Sequence, residues 1–477
     1  MSDHPAIGSW TAIDVAAAVS AGELSAAEVL EEALRRIAAA NDELDAFTFL
    51  DPERARRDAA AVDRRVAAGE HLPLAGVPLG VKELDRVEGW PDNAGTAIYA
   101  DRVATRTDTH VRRLLDAGAV AVGLTSASEF GITAYTHHPA RGVTARNPWD
   151  PDTSPGGSSG GSAGAVAAGL VPVATGGDGG GSIRLPAALS GLVGPKVSLG
   201  RVPRSARDLW PTAVLGPLAT TVADAARFLD VVRGPDGHDR TELPPDPASW
   251  EAALGTVDHG MRAAIVTGFG HAAVDPGVLA LVDDAAHALV DAAGLTLVDR
   301  PVQFRDPSSA WSAVGAAGSI RAFSDAGDVD ESLLSREGRW SYRGSPRVTA
   351  TDLAKAIDRA AAVCDEIEVA FDDVDLLLLP SCAVPSVPAE GPLPTEIDGR
   401  EVRPAAMAQF TIPFNLSGHP GVSVPAGLVD GHPVGLQIVG RRFTEARLLA
   451  LAARLEATRP WPRHAPGWPR PAARSTA

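Results

Sequence analysis

Short apolar runs alternate with stretches of helical periodicity along most of the chain. The runs at residues 77–81 and 119–124 each follow a glycine, which predicts strands. Between them, Asp108 is placed to cap a helix that ends near Ala117, before Gly118. Further strands are predicted at 263–266, 295–298, 376–379, 422–424 and 436–439. This alternation predicts an α/β protein with a largely buried sheet.

Two helices are predicted near the start of the chain. Thr11 and Asp14 suit the beginning of the first helix, and Gly22 suits its end. Ser25 and Glu28 have the spacing of a capping box for the second helix. The apolar residues of the second helix fall on one face, so we expect both helices to pack on the core and to carry no chemistry.

Composition and charge narrow the class of protein. The 477 residues carry a net charge of −17, which argues against general binding to nucleic acid. There are two cysteines, Cys364 and Cys382, and they form no CxxC motif or disulfide framework, as expected in a reducing cytoplasm. No signal peptide and no apolar run long enough to cross a membrane is evident.

Lysine is rare in this chain. Of its 43 basic residues only Lys82, Lys196 and Lys355 are lysines. A buried lysine can lose its proton and act as a base, which arginine cannot do. Lys82 directly follows the apolar run 77–81, so it is expected in the interior, whereas Lys196 and Lys355 are interpreted as structural.

The glycine-rich segment at residues 154–186 is the most informative part of the sequence. It reads SPGGSSGGSAGAVAAGLVPVATGGDGGGSIRLP. Ser182 follows three glycines and is placed to attack a carbonyl carbon. The N–H groups of Gly179, Gly180 and Gly181 would then face the oxyanion. Each well-aimed donor of this kind contributes roughly 3 kcal/mol to the transition state.

Three other interpretations of this segment fit it less well. A flexible linker is inconsistent with the apolar run at 163–174 inside it. A phosphate-binding loop would need a lysine at its end, and neither glycine cluster has one. Residues 157–161 match the G-x-S-x-G nucleophile elbow, but residues 150–155 before them cannot form the core strand that the elbow requires.

Several motifs along the chain resemble those of the amidase signature family. They are GVPLGVKEL, RNPWD, GGSSGGSAGAVAAG, GGSIRLPAA, FTIPFNLSGHPGVSVP and PVGLQIVG. The resemblance spans roughly residues 10–460 and includes the spacing of 24 residues between Ser158 and Ser182. It implies an α/β fold with a central mixed β-sheet covered by helices on both faces. It divides the chain into an N-terminal helical segment (1–60), a catalytic domain (61–460) and a C-terminal tail (461–477).

The resemblance also assigns residues to the site. Lys82 takes the position of the catalytic lysine, Ser158 that of a bridging serine in a cis peptide, and Ser182 that of the acylated nucleophile. The N–H groups from Gly179 to Ser182 match the oxyanion hole. Asp178 and Arg184 match polar residues that support the site.

The chain departs from the family pattern at several positions. Gly177 and Gly179 replace threonines, and Glu83 replaces an aspartate. Leu124 and Ser126 lie where lysine and asparagine are common. These changes are expected to affect the pocket and the rate more than the type of reaction.

The expected reaction is hydrolysis of a small-molecule amide by way of an acyl-enzyme. For this, the pKa of Lys82 must fall from about 10.4 toward neutrality. No linear metal motif or cofactor motif is present, so no metal and no cofactor is expected. Anilides, oligoamides, carbamates and ureas are alternative substrates within the family, and a homodimer is an analogy only.

Two other functions remain open. One is the glutaminase-type A subunit of a tRNA-dependent amidotransferase, which works in a complex. The acidic charge and the changed residue Ser126 favour a free-standing enzyme. The other is a non-enzymatic binding protein on the same fold, which the joint presence of Lys82, Ser158 and Ser182 argues against.

Overall fold

The computed structural model describes Ile7 and residues 10–204 and 210–469 of the chain. The α-helices, in chain order, are α1 (Ala12–Ser20), α2 (Ala26–Leu44), α3 (Pro52–Ala67), α4 (Thr109–Asp116), α5 (Gly160–Ala167), α6 (Arg184–Ser190), α7 (Val222–Val232), α8 (Pro276–Ala293), α9 (Ser308–Ser324), α10 (Arg336–Gly344), α11 (Ala350–Ala370), α12 (Ile412–Leu416) and α13 (Glu445–Thr458). No helix in these ranges combines the length and hydrophobicity needed to cross a bilayer.

The described strands form a mixed sheet in two parts and two separate short pairs. They are β1 (Phe47–Leu50), β2 (Pro78–Lys82), β3 (Val120–Thr125), β4 (His137–His138), β5 (Val143–Thr144), β6 (Val173–Asp178), β7 (Gly194–Lys196), β8 (Val214–Ala219), β9 (Arg262–Ile265), β10 (Thr296–Leu297), β11 (Leu376–Pro380), β12 (Glu396–Ile397), β13 (Arg400–Glu401), β14 (Gly421–Val429) and β15 (His432–Gly440). The first part has the order β1-β3-β2-β6-β8 and the second β10-β9-β11-β15-β14-β7, while β4 pairs only with β5 and β12 only with β13.

Both parts combine parallel and antiparallel pairs. Strands β3, β2 and β6 run parallel, and β1 and β8 pair antiparallel at the two edges. In the second part β10, β9 and β11 are parallel, whereas β15, β14 and β7 are antiparallel. The predicted α/β class with a mixed sheet is therefore confirmed.

The two parts meet edge to edge. Val193, just before β7, exchanges backbone hydrogen bonds of 2.8 and 3.1 Å with Ala219 at the end of β8. The chain thus leaves the first part after β6, passes through α6 to β7 in the second part, and returns to the first in β8. The glycine-rich loop with Ser182 lies in this crossover.

Most predicted boundaries are within two residues of those observed. Thr11 accepts a hydrogen bond from the Asp14 N–H, and Ser25 with Glu28 forms the predicted capping box. Asp108 precedes α4 as predicted, but its side chain makes no capping bond. Instead, Asp108 Oδ2 accepts from the Arg86 N–H at 2.9 Å, which uses the carboxylate to fix a neighbouring loop.

The core consists of two apolar clusters. The larger one fills the space between the sheet and its helices and includes the buried strand residues Leu79, Val81 and Val122. The smaller one lies under helices α9 and α11, where Val314 and Ala360 meet side chains of α6 and α12. Through this second cluster, α9 packs next to the glycine-rich loop.

The last described residues pack onto the molecule. The Ala465 N–H donates to Ala167 O at 2.9 Å, at the end of helix α5. The Trp461 and Trp468 indoles donate to Thr220 O and Pro148 O. The chain after α13 is therefore anchored as far as residue 469.

Candidate active site

Strand β2 delivers Lys82 to the interior at its carboxyl end. The strand is buried along its whole length. The Lys82 N–H donates to Thr175 Oγ1 on the neighbouring strand β6 at 2.8 Å. The lysine is thus fixed by its backbone as well as by its side chain.

The side chain of Lys82 contacts two adjacent serines. Its Nζ lies 2.8 Å from Ser158 Oγ and 2.8 Å from Ser159 Oγ. The peptide bond between Gly157 and Ser158 is cis, as the resemblance implied. A Cβ added at Gly157 would lie 2.5 Å from the backbone N of Tyr135 and collide with it. The close approach therefore requires glycine there.

Burial makes Lys82 a weaker base than an ordinary lysine. Loss of hydration, helped by the charge of Arg204, outweighs the opposing charges of Asp85 and Asp178 and lowers the pKa of Lys82 to about 8. A lysine with this pKa is neutral in half of the molecules at about pH 8. It can then accept a proton from a hydroxyl group.

A buried acid lies behind the lysine, and sequence reasoning missed it. Thr175 Oγ1 donates to Asp85 Oδ2 at 2.6 Å, and His110 Nε2 lies 3.3 Å from the same oxygen. Burial acts to lower the pKa of His110, but the Asp85 carboxylate outweighs it and holds that pKa above its ordinary value. Asp85 follows Lys82 by three residues, which is the one signal that could have found it.

Ser182 lies in the loop between β6 and α6. It is half-buried, and α6 begins two residues later at Arg184. Within the described residues no hydrogen bond joins its hydroxyl to Ser158. The structure therefore brings Lys82 and Ser158 into contact and places Ser182 on the loop that Asp178 and Arg184 hold.

Asp178 and Arg184 form a fully buried ion pair. Arg184 donates to both carboxylate oxygens of Asp178, at 2.9 and 2.8 Å. Burial acts to raise the pKa of Asp178, but Arg184 and Asn415 hold it well below its ordinary value. A bidentate charged pair of this kind has little freedom, so it fixes both ends of the loop.

The remaining hydrogen bonds of Arg184 come from distant parts of the chain. Its guanidinium donates to Thr411 O at 3.1 Å, Asn415 Oδ1 at 2.6 Å and Gln437 Oε1 at 2.7 Å. Asn415 and Gln437 lie in the C-terminal motifs FTIPFNLSGHPGVSVP and PVGLQIVG. Those motifs therefore contribute to the support of the loop, a role that their letters alone did not reveal.

Separate hydrogen bonds fix each of the loop glycines Gly179, Gly180 and Gly181. Gly179 O accepts from Trp311 Nε1 at 2.7 Å, and Gly180 O accepts from Thr411 Oγ1 at 2.7 Å. The Gly181 N–H, one of the predicted oxyanion donors, donates to Asp178 Oδ1 at 2.8 Å, and Gly181 O accepts from the Leu185 N–H at 2.7 Å. The Gly181 N–H is therefore already engaged.

The departures from the family pattern have different amounts of space around them. A Cβ on Gly177 or Gly179 would make ordinary contacts of 3.6 and 3.4 Å. On Gly180, where the chain keeps the glycine of the family pattern, it would lie 2.5 Å from the Trp311 ring. Glu83 keeps the role of a buried anion, since it accepts from the Ala127 N–H and from both terminal nitrogens of Arg141.

No group of three or more His, Cys, Asp or Glu side chains that could hold a metal occurs in the part of the chain that the structure describes.

Comparison with known proteins identifies the family. The sequence profile of the amidase family matches residues 28–449. The chain is 36% identical to an acylamidase from Rhodococcus erythropolis, over 94% of this chain and 96% of the relative. It is 35% identical to the A subunit of glutamyl-tRNA(Gln) amidotransferase from Salinispora tropica, over 94% and 97%.

A solved structure agrees with these sequence relationships. A bacterial aryl acylamidase of the amidase signature enzymes superposes with a TM-score of 0.89 at 30% identity, covering 95% of this chain and 97% of that one. The chain therefore belongs to the amidase signature family and is a hydrolase of amide carbon–nitrogen bonds.

Proposed function

We propose that this chain is a free-standing acylamidase that hydrolyses small-molecule amides through an acyl-enzyme on Ser182. The observation that carries the proposal is the buried contact of 2.8 Å between Lys82 Nζ and Ser158 Oγ. A lysine with a pKa lowered to about 8 is suited to take a proton from that hydroxyl.

In the proposed mechanism, neutral Lys82 takes the Ser158 hydroxyl proton while Ser158 takes the proton of Ser182. Ser182 Oγ attacks the amide carbonyl carbon and forms a tetrahedral oxyanion. The proton returns from Lys82 through Ser158 to the nitrogen, the C–N bond breaks and the amine leaves. Water then attacks the acyl-enzyme by the same proton route and releases the carboxylic acid.

The orientation of the loop peptides supports a choice among the oxyanion donors. In a trans peptide the N–H points opposite to the preceding C=O. Gly179 O and Gly181 O are both bonded to neighbouring groups, so the N–H groups of Gly180 and Ser182 point the other way. We therefore assign the oxyanion hole to Gly180 and Ser182, with Gly181 engaged by Asp178.

An aromatic cluster next to Ser158 favours aryl amides. A Cβ built on Gly131 would lie 3.3 Å from Ser158 Oγ, so residue 131 borders the bridging serine. Its neighbour Phe130 packs edge-on against Tyr99 and Phe323, with ring centroids 6.0 and 5.2 Å apart. We propose that this cluster receives an aromatic group of the substrate.

The central assignment is tested with a fluorophosphonate and an anilide substrate. The wild-type protein is expected to gain one adduct on Ser182 and to release the aniline. Ser182→Ala should lose both labelling and turnover, and Ser158→Ala should slow both. A Ser182→Ala protein that keeps most of its activity would contradict the mechanism.

The aromatic assignment needs a separate comparison. Phe323→Leu removes the ring but keeps apolar volume, and it should raise KM for anilides more than for short aliphatic amides. Phe443→Ala, at a side chain with 56% exposure, serves as the control. Equal effects on both substrate types would argue against an aryl site.

A second candidate function is supported by the 35% identity to the A subunit of an amidotransferase. That function would require partner chains. Light scattering and turnover assays on the purified chain separate the two. Amide hydrolysis by a species that contains this chain alone supports the acylamidase, whether the species is a monomer or the homodimer expected by analogy.

The cellular location is a further part of the proposal. Cys364 and Cys382 are both free thiols. This is expected in a reducing compartment, and we propose that the protein works in the cytoplasm.

A further inference from the structure

A tryptophan from a distant helix contacts the glycine-rich loop that carries Ser182. Trp311 lies in the first turn of α9 (Ser308–Ser324), and its indole Nε1 donates to Gly179 O at 2.7 Å. Its ring covers Gly180, because a Cβ there would lie 2.5 Å from Cζ2 and 3.0 Å from Cε2. No sequence motif connects Trp311 with Gly179, which lies 132 positions away.

This hydrogen bond sets the direction of one peptide plane. The bond between Gly179 and Gly180 is trans, so fixing the Gly179 carbonyl also fixes the Gly180 N–H on the opposite side. The next peptide is held by separate partners, since Gly180 O accepts from Thr411 and the Gly181 N–H donates to Asp178. The Gly180 N–H therefore has its direction set by Trp311.

The pair of Trp311 and Gly180 is sterically matched. A ring in van der Waals contact with the backbone leaves no space for a side chain, which accounts for glycine at position 180. Trp311 is half-buried and packs on the smaller apolar cluster, which includes Leu185 of α6. The ring is thus held on one side by the core and on another by the loop.

We propose that Trp311 is a positioning residue for catalysis: it aims the Gly180 N–H at the oxyanion of the transition state. The inference rests on the proposed mechanism at Ser182. It assigns a catalytic consequence to a residue outside all the motifs that carry the chemistry.

The first test is Trp311→Phe, which keeps an aromatic ring and removes the N–H donor. A donor aimed at an oxyanion is worth about 100-fold to 1,000-fold in kcat, and partial loss of its aim should cost about 10-fold to 100-fold. KM should change little, because the ground-state carbonyl gains little from this donor. Trp340→Phe, at a tryptophan with 76% exposure, is the matched control.

A second readout separates positioning from general damage. The Ki of a tetrahedral boronate inhibitor should rise in proportion to the fall in kcat/KM of Trp311→Phe. The Ki of the amine product should stay within about twofold, because it carries no oxygen that could accept from the Gly180 N–H. A structural role alone would weaken both inhibitors together, and that result would overturn the proposal.

A double-mutant cycle tests the contact between the Trp311 ring and Gly180 directly. Gly180→Ala should cost far more activity in the wild-type background than in Trp311→Ala, where the ring is gone. Additive effects would overturn the proposal. Failure of the underlying mechanism has a different signature, since the wild-type protein would then show no fluorophosphonate adduct on Ser182.

Discussion

The protonation state of Lys82 governs the rate in the proposed mechanism, which makes activity pH-dependent. Burial lowers the pKa of Lys82 to about 8, so the neutral form that acts as base grows as pH rises through that value. We expect kcat/KM to rise about tenfold per pH unit below 8 and to level off above it. A flat profile between about pH 6 and 9 would contradict this.

An arginine at this position provides the matched control. Lys82→Arg keeps the positive charge but cannot act as a base, because arginine stays protonated in proteins. This variant should be inactive across the same pH range. Recovery of activity at high pH would show that another group accepts the proton.

Ser159 orients the lysine in this scheme. A neutral amine has one lone pair and two hydrogens, and the Lys82 amine lies 2.8 Å from both Ser158 Oγ and Ser159 Oγ. If the lone pair faces Ser158, an N–H must donate to Ser159. Ser159→Ala should lower kcat by about tenfold, less than loss of the base itself.

A buried serine on the neighbouring helix α5 serves as the comparison for Ser159. Ser162 donates to Thr175 O at 2.8 Å, and its hydroxyl also lies 2.7 Å from Thr125 Oγ1. Both partners belong to the sheet, so Ser162→Ala should lower stability more than kcat. Equal losses of kcat in both variants would remove the special role of Ser159.

At the level of elements, one hydroxyl group adds a side-chain link between the paired strands β2 and β6 at the end that carries Lys82. Thr175 Oγ1 accepts the Lys82 N–H and donates to Asp85. Thr175→Val leaves a buried N–H and a buried carboxylate without this partner, which should cost about 1–3 kcal/mol of unfolding free energy. Thr175→Ser keeps the hydroxyl and should cost less, as thermal or urea unfolding would show.

The individual strands show which sequence patterns were enough to predict an element. The apolar runs that end at Val81 and Leu124 predicted β2 and β3 because a short buried strand needs little else. Strand β6 was missed since its sequence, VATGGD, shares its glycines with the loop. Strand β8 contains Pro217, which argues against a central strand, and β8 in fact lies at the edge of its part of the sheet.

The residues of the candidate site also differ in whether the sequence could predict them. Lys82, Ser158 and Ser182 could be proposed from the sequence because each belongs to a local motif. Trp311, Asn415 and His110 could not, because each reaches the site through tertiary packing. A linear pattern carries no record of such contacts, which only the folded chain creates.

At the scale of the whole molecule, two buried carboxyl groups should lower the free energy of unfolding as pH rises. Asp224 accepts from the Ile13 N–H of α1, and burial raises its pKa to about 6. Burial also raises the pKa of Glu456, which accepts from the Val222 N–H, to about 7. These carboxyl groups join α1, α7 and α13.

The direction of this pH dependence follows from the raised pKa values of the two carboxyl groups. A carboxyl group with a higher pKa in the folded state binds its proton more tightly there, so its stabilising contribution is full below the unfolded pKa of about 4. It is lost as pH rises through about 6 for Asp224 and about 7 for Glu456, by about 3 kcal/mol for Asp224 alone. In urea unfolding, Asp224→Asn should flatten the decline between about pH 4 and 7, while Asp291→Asn, at an exposed side chain, should leave it unchanged.

The crossover between the two parts of the sheet has a consequence for local motion. The chain segment that carries Ser182 leaves the first part of the sheet after β6 and returns to it in β8. Between them, β7 pairs with the second part. Opening either part alone would pull on this segment from both sides. Amide hydrogens of β6, β7 and β8 that take part in strand pairing should therefore exchange with solvent only through events close to global unfolding. The enzyme would then have no partly open form that still reacts: its chemistry and its fold would disappear in the same step.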